Sequence, residues 1–114
     1  MNRFEIYRLE FTYGDCTDSR PVVVVSPEWY IGDASRDDIL VAPISGQMDM
    51  YDGHRHFLIH ETHPDFAQTG LRKTCYVAAD HITFVSRGTL AEPVAELEGS
   101  LRQGLADFLA RFFG

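Results

Sequence analysis

The chain has 114 residues, 45% of them hydrophobic and 24% charged, with a net charge of −7 at neutral pH. This is the length of one domain with a real core and the composition of a globular protein, which excludes a disordered chain, and no apolar run approaches the roughly 20 residues of a membrane-spanning helix. Seventeen acids against nine arginines and a single lysine exclude a generally basic surface, so a polyanion site has to be a local cluster of arginines in an acidic body.

The opening, MNRFEIYRLEF, alternates charged and apolar residues and lacks the apolar block of a signal peptide, so a cytoplasmic protein is expected. Residues 4–11 read as a first strand. Its alternation slips between Ile6 and Tyr7, which predicts a bulge or two buried faces. Residues 13–19, YGDCTDS, have loop chemistry. PVVVVS at 21–26 is a short β-branched run ended by Ser26-Pro27, the pattern of a central strand buried on both sides. Residues 28–36 read as a second loop carrying Trp29 and Tyr30, and DILVAPIS at 38–45 as a third strand. HRHFLIHETH follows and alternates as a fourth. After a turn at Thr69-Gly70, residues 74–79 and 81–86 make two more strands.

In the tail, apolar residues at 97, 101, 105, 108 and 112 have helical spacing with one apolar face. Ser100 and Gln103 resemble a capping box, and Gly104 costs about 1 kcal/mol relative to Ala, so packing has to hold this helix. Five or six short strands and one terminal helix predict a mainly β domain: a small, strongly curved, partly closed antiparallel sheet capped by a helix. Cys16 and Cys75 are too few and too separate for a disulfide framework or a zinc knuckle, and are read as reduced thiols, one in a loop and one on a strand.

Three segments, in order, resemble the MazF/PemK toxins. Arg20-Pro21-Val22-Val23-Val24-Val25-Ser26-Pro27 is similar to that family's Arg-Pro-hydrophobic-Ser strand. Val41-Ala42-Pro43-Ile44-Ser45-Gly46-Gln47 is similar to its Pro-Ile-Thr-Ser-Gln segment. Gly70-Leu71-Arg72-Lys73-Thr74-Cys75-Tyr76-Val77, with Asp80-His81-Ile82-Thr83, is similar to its Gly-Leu turn and Asp-Gln-Ile-Thr strand pair. The resemblance runs from about Phe4 to the C-terminus and implies a single toxin domain over residues 1–114. It also departs from the family in places. The Gly-Asp opening of strand one is Phe4-Glu5, and the glycine-rich Gly-x-Glu-Gln loop is cut to Gly14-Asp15-Cys16. The Thr of the second motif is Ser45, and the Ser after it is Gly46.

The resemblance implies an SH3-like barrel that is dimeric, cytoplasmic and paired with a cognate antitoxin, cutting single-stranded RNA without metal or other cofactor. The 2′-OH would attack the adjacent phosphate, and fixed cations and donors would hold the charge that builds there. Arg20 and Ser45 match the family's Arg and Thr. Arg20, permanently protonated, suits a bidentate grip on the phosphate rather than the role of a base. Ser45 would donate its hydroxyl. Asp15, where the family has an acid, would orient Arg20 or accept the 2′-OH proton. Gln47, Trp29, Tyr30, Arg72 and Lys73 are the candidate RNA or antitoxin contacts, the two aromatics by stacking. Their structural alternatives are a loop anchor or dimer contact for Trp29-Tyr30 and a solvated turn for Arg72-Lys73.

Two other readings stand beside the nuclease. Leu90-Ala91-Glu92-Pro93-Val94 and the Phe112-Phe113-Gly114 ending look like the tail of the CcdB family, which shares the barrel and poisons DNA gyrase. The net charge and shortened loop favour a barrel that only binds protein. In HRHFLIHETH, alternation puts His54, His56 and His60 on one strand face, where i and i+2 histidines chelate. With no nearby cysteine and no zinc spacing, the expectation is an exposed face without metal, gaining charge below about pH 6.5.

Overall fold

The computed structural model describes residues 1–114, the side chain of Tyr13 excepted. Seven strands, β1 (Glu5–Tyr13), β2 (Cys16–Val24), β3 (Asp38–Ser45), β4 (His56–Ile59), β5 (Cys75–Ala78), β6 (Thr83–Ser86) and β7 (Pro93–Glu96), form one antiparallel sheet. The order is β4-β5-β3-β2-β1-β7, with β6 also on β3. Strand β3 serves two partners: Asp38 to Val41 pair with β6, whereas Ile44 and Ser45 pair with β5. Splitting one strand between two neighbours curls the sheet into a half-barrel. A short helix, α1 (Glu28–Ile31), lies in the loop after β2, and α2 (Gly99–Phe113) closes the chain. This is the mainly β barrel with a terminal helix expected from the sequence. Among the described residues, no helix is long and apolar enough to cross a membrane.

Alternation along β1 and β2 sends side chains into two cores. Ile6, Val23 and Val25 meet Ile44, Ile59, Val77, Leu97, Leu101 and Leu105 on the α2 side. Tyr7, Leu9, Val22 and Val24 meet Ile31, Ile39 and Val41 on the other. Each fully buried valine is worth about 1.5–3 kcal/mol, which is why the PVVVVS run is a central strand. The slip at Ile6-Tyr7 is both things it suggested: the two residues are buried in different cores, and the β1–β7 register shifts between them.

Four expectations need correction. Residues 13–19 are not a loop. The ladder runs on to Tyr13↔Cys16, so Cys16 begins a strand, and Gly14 at φ +61° makes a turn of two residues. These strand ends are exposed, and polar Thr12↔Thr17 pairing suits them there. The histidine stretch keeps only four strand residues, because Asp52 folds the chain before it: its carboxylate takes the His54 N–H at 2.9 Å and Arg55 Nε at 3.0 Å. β7 is a seventh strand beyond the five or six expected, with Pro93 at its first position, where no ladder donor is missed.

The Ser100–Gln103 capping box does not form. The Asp65 carboxylate, from another segment, accepts the Ser100 N–H at 3.2 Å, and Gln103 Nε2 donates instead to Asp107 at 2.9 Å. Gly104 has a packing reason: a Cβ there would sit 3.1 Å from the edge of the Phe57 ring.

Candidate functional site

Where the base of the β1–β2 hairpin, the end of β3 and residues 70–75 approach each other, they leave an open cleft of about 620 Å³. It gathers five of the eight residues singled out from sequence: Arg20, Ser45, Gln47, Arg72 and Lys73. Pro21, Ile44, Leu71 and Cys75 supply its apolar walls. A sixth polar residue, Arg8, lines it too, and sequence reasoning missed it. The signal was a cation in the middle of an apolar strand; what it faces depends on its register opposite Pro21, which composition does not reveal. Four of the chain's ten Lys and Arg residues thus line one cleft, and no carboxylate is among its described lining residues.

Each cation is held differently. Arg8 donates Nε to Ser19 Oγ at 3.1 Å and Nη2 to the Ser19 carbonyl at 2.9 Å. Arg20 pairs opposite Leu9, so it projects on the other side of the ribbon from Arg8 and reaches the cleft at its lip. Its Nε donates to Asp18 Oδ2 at 2.9 Å, in a half-exposed pair. Tying down Nε orients the guanidinium and leaves both terminal nitrogens for an anion. Ser45 Oγ accepts the Gln47 N–H at 3.2 Å, which fixes the oxygen while its proton can be donated. In the cleft wall, burial pushes the Cys75 thiol up to about 11, against the opposing pull of Lys73, so it is no nucleophile at neutral pH.

The other candidates lie elsewhere. Asp15 occupies the hairpin turn, outside the cleft lining, and the carboxylate that holds Arg20 is Asp18. Trp29 and Tyr30 sit on α1, away from the cleft. Tyr30 donates its hydroxyl to Asp38 Oδ1 at 2.6 Å and packs near Phe84 and the Arg36 guanidinium. That bond to Asp38, ahead of desolvation, raises the phenol's pKa. Trp29 stays 71% exposed, edge-on to Tyr30.

The exposed histidine face expected from the alternation breaks at its centre: His54 and His60 are exposed, whereas His56 is not. His56 is only 6% exposed, stacked on Tyr76 at 4.4 Å between ring centroids. Its Nδ1 accepts the Asp52 N–H at 3.0 Å, which assigns the proton to Nε2, bonded to Asp80 Oδ1 at 3.0 Å. It is a core histidine that closes a turn. His60 and His63 likewise accept backbone N–H groups, from Thr62 and Asp65. Among the described residues, no three His, Cys, Asp or Glu side chains converge as metal ligands would. His63, Ser100 and Asp65 do meet, with Ser100 Oγ 3.0 Å from His63 Nε2. Yet Nδ1 is already an acceptor, so Nε2 is the donor and cannot deprotonate the serine; the trio is a helix cap, not a nucleophilic triad.

A half-exposed guanidinium, a hydroxyl, an amide and three more cations around one open cleft suit a phosphodiester strand. No curated protein matches the chain. Solved structures share its fold. The Mycobacterium tuberculosis toxin MazF-mt6 matches at 20% identity and TM-score 0.67, over 96% of this chain and 95% of that one. An endoribonuclease from a mycobacterial species, in complex with its cognate antitoxin, matches at 19% and 0.67, over 98% and 91%. The MazE–MazF structure from Deinococcus radiodurans matches at 22% and 0.69, over 100% and 96%. The sequence pattern of PemK-like, MazF-like toxins of type II toxin–antitoxin systems matches residues 2–113. The chain belongs to the PemK-like, MazF-like toxin family.

Proposed function

We propose that the chain is a single toxin domain that cuts single-stranded RNA in the Arg8–Arg20–Ser45–Lys73 cleft without a metal ion. The observation that carries this reading is the charge of the cleft: four cations and no lining carboxylate in a protein of net charge −7. An RNA backbone is drawn there and repelled elsewhere. The 2′-oxygen attacks the neighbouring phosphorus as the P–O5′ bond breaks, giving a 2′,3′-cyclic phosphate and a 5′-hydroxyl. With no carboxylate lining the cleft, the 2′-OH proton leaves to solvent and O5′ takes one from solvent. The terminal nitrogens of Arg20 grip the phosphoryl oxygens and Ser45 donates to one of them, where charge builds most.

Arg20→Ala slows cleavage about 100- to 1000-fold, and Ser45→Ala less, since a neutral donor contributes less than a charge-assisted pair. Equal cleavage by Arg20→Ala would sink the assignment. The solved relatives that hold an antitoxin support a cognate antitoxin for this chain too. Cutting RNA beside such a partner suits a cytoplasmic location. Exposed Phe84, Val94 and Phe113 support a homodimer, which light scattering would reject by returning the monomer mass. The short Gly14-Asp15 turn favours a second reading, a barrel that only binds protein. It takes over if the purified chain neither cuts RNA nor stalls gyrase.

A further inference from the structure

Gly46 and Lys73 share one piece of space. A Cβ on Gly46 would lie 2.4 Å from Lys73 Cε, 3.1 Å from Nζ and 3.7 Å from Cδ. The lysine stem therefore rests on the bare backbone next to Ser45, in the volume any other residue at 46 would fill. Lys73 is itself one of the residues that line the cleft, together with Ser45, Gly46 and Cys75. Lys73 makes no ion pair or hydrogen bond with the described residues and stays exposed. It is also the only lysine in the chain, where every other cation is an arginine. A flexible, unpaired ammonium resting against the backbone at Gly46, one residue on from Ser45, is a ready point charge for a phosphate.

We infer that Lys73 binds a backbone phosphate of the RNA strand beside the one gripped by Arg20, and that Gly46 is there to let it. The inference rests on the RNA-cleaving reading of the cleft. Arg20 acts on the reacting phosphate, whereas Lys73 sets the register of the strand, so Lys73 governs binding more than the chemical step.

A double-mutant cycle tests this, with Lys73→Gln, Gly46→Ala and the pair, on a labelled RNA made uncleavable by 2′-deoxy substitution and on its cleavable parent. The far end of a lysine moves easily, so Gly46→Ala keeps its melting temperature while displacing the ammonium. Lys73→Gln weakens binding about 5- to 10-fold at 50 mM salt and lowers the magnitude of the salt slope by about 0.7, as for one lost phosphate contact. KM rises while kcat falls less than threefold. Gly46→Ala reproduces part of that loss, and the double variant is no weaker than Lys73→Gln. If Gly46→Ala fails to fold, the slope of Lys73→Gln alone decides. A wild type that cuts RNA while Lys73→Gln binds it as well as wild type overturns this inference only. Additive losses overturn the role of Gly46. A wild type that neither binds nor cuts RNA overturns the reading and the inference together.

Discussion

Arg8 is the residue through which the charge of the cleft can be measured. If the strand meets all four cations, log Kd depends on log salt with a slope of about 2.8 in magnitude, so raising salt from about 50 to about 200 mM weakens binding about 50-fold. Arg8→Gln removes one contact, the slope falls to about 2.1, and the same change of salt costs only about 20-fold. Arg8 is suited to the measurement because both its bonds go to Ser19 and no carboxylate holds it, so its loss strands no partner charge. Fluorescence anisotropy of a 2′-deoxy-protected RNA, titrated at four salt concentrations, gives both slopes. Arg36→Gln is the control: that guanidinium pairs with Asp33 and covers Tyr30, outside the cleft, and its slope stays at the wild-type value. An unchanged slope for Arg8→Gln would refute the reasoning. So would a wild-type slope well above about 5, because the RNA would then be using cations beyond the cleft.

Phe4 has φ +69° and is 1% exposed, so Phe4→Gly trades about 3–5 kcal/mol of lost packing for about 1–2 kcal/mol of relieved backbone. In urea unfolding, Phe4→Gly is therefore more stable than Phe4→Ala by about 1 kcal/mol, the reverse of the usual order. Gly104→Leu drives a side chain into Phe57 and destabilises by about 1–3 kcal/mol, part of which Phe57→Ala restores. The Asp52 carboxyl is held below its ordinary value chiefly by the His54 N–H, against desolvation, with Arg55 helping. A lowered folded pKa gives stability that is fully present above the unfolded value near 4 and is lost as pH falls from there through the lower folded value, so Asp52→Asn flattens the acid limb of the stability curve below about pH 4.

Periodicity carried the strands from 21–26 and 38–45 and the terminal helix, because burial on fixed faces is what their patterns encode. It failed where short side chains bond to nearby backbone. Asp52 stops the histidine strand early, and Asp65 replaces the expected cap of α2 from a distance of 35 residues. The cleft divides in the same way. Arg20, Ser45 and Gln47 were visible as motif residues, whereas Arg8 and Asp18 depend on how β1 and β2 pair, and Lys73 depends on what Gly46 leaves empty.

The opening of β1 shows how a departure from the family pattern is absorbed. Where the family pattern has glycine, Phe4 here adopts a left-handed backbone, with both backbone groups engaged: its N–H to the Val24 carbonyl at 2.7 Å, and its carbonyl to the Leu97 N–H at 2.9 Å. Those two bonds join β2 to the start of the terminal helix region, so the conformation is set by its surroundings, not by residue type. The ring then fills the core beside Leu97 and Leu101, and the Arg3 and Arg102 guanidiniums lie over it at 4.6 and 5.2 Å. Burial and the neighbouring Arg102 both lower the pKa of Arg3, against the pull of Glu28. Two mutually repelling cations are tolerated here because one ring attracts both and Arg102 Nη1 also bonds the Arg3 carbonyl at 2.9 Å. These two arginines serve the fold and leave the cleft proposed for RNA to Arg8, Arg20, Arg72 and Lys73. In a chain this acidic a polyanion is best held where four of the ten cations line one wall and no carboxylate is among the described lining residues.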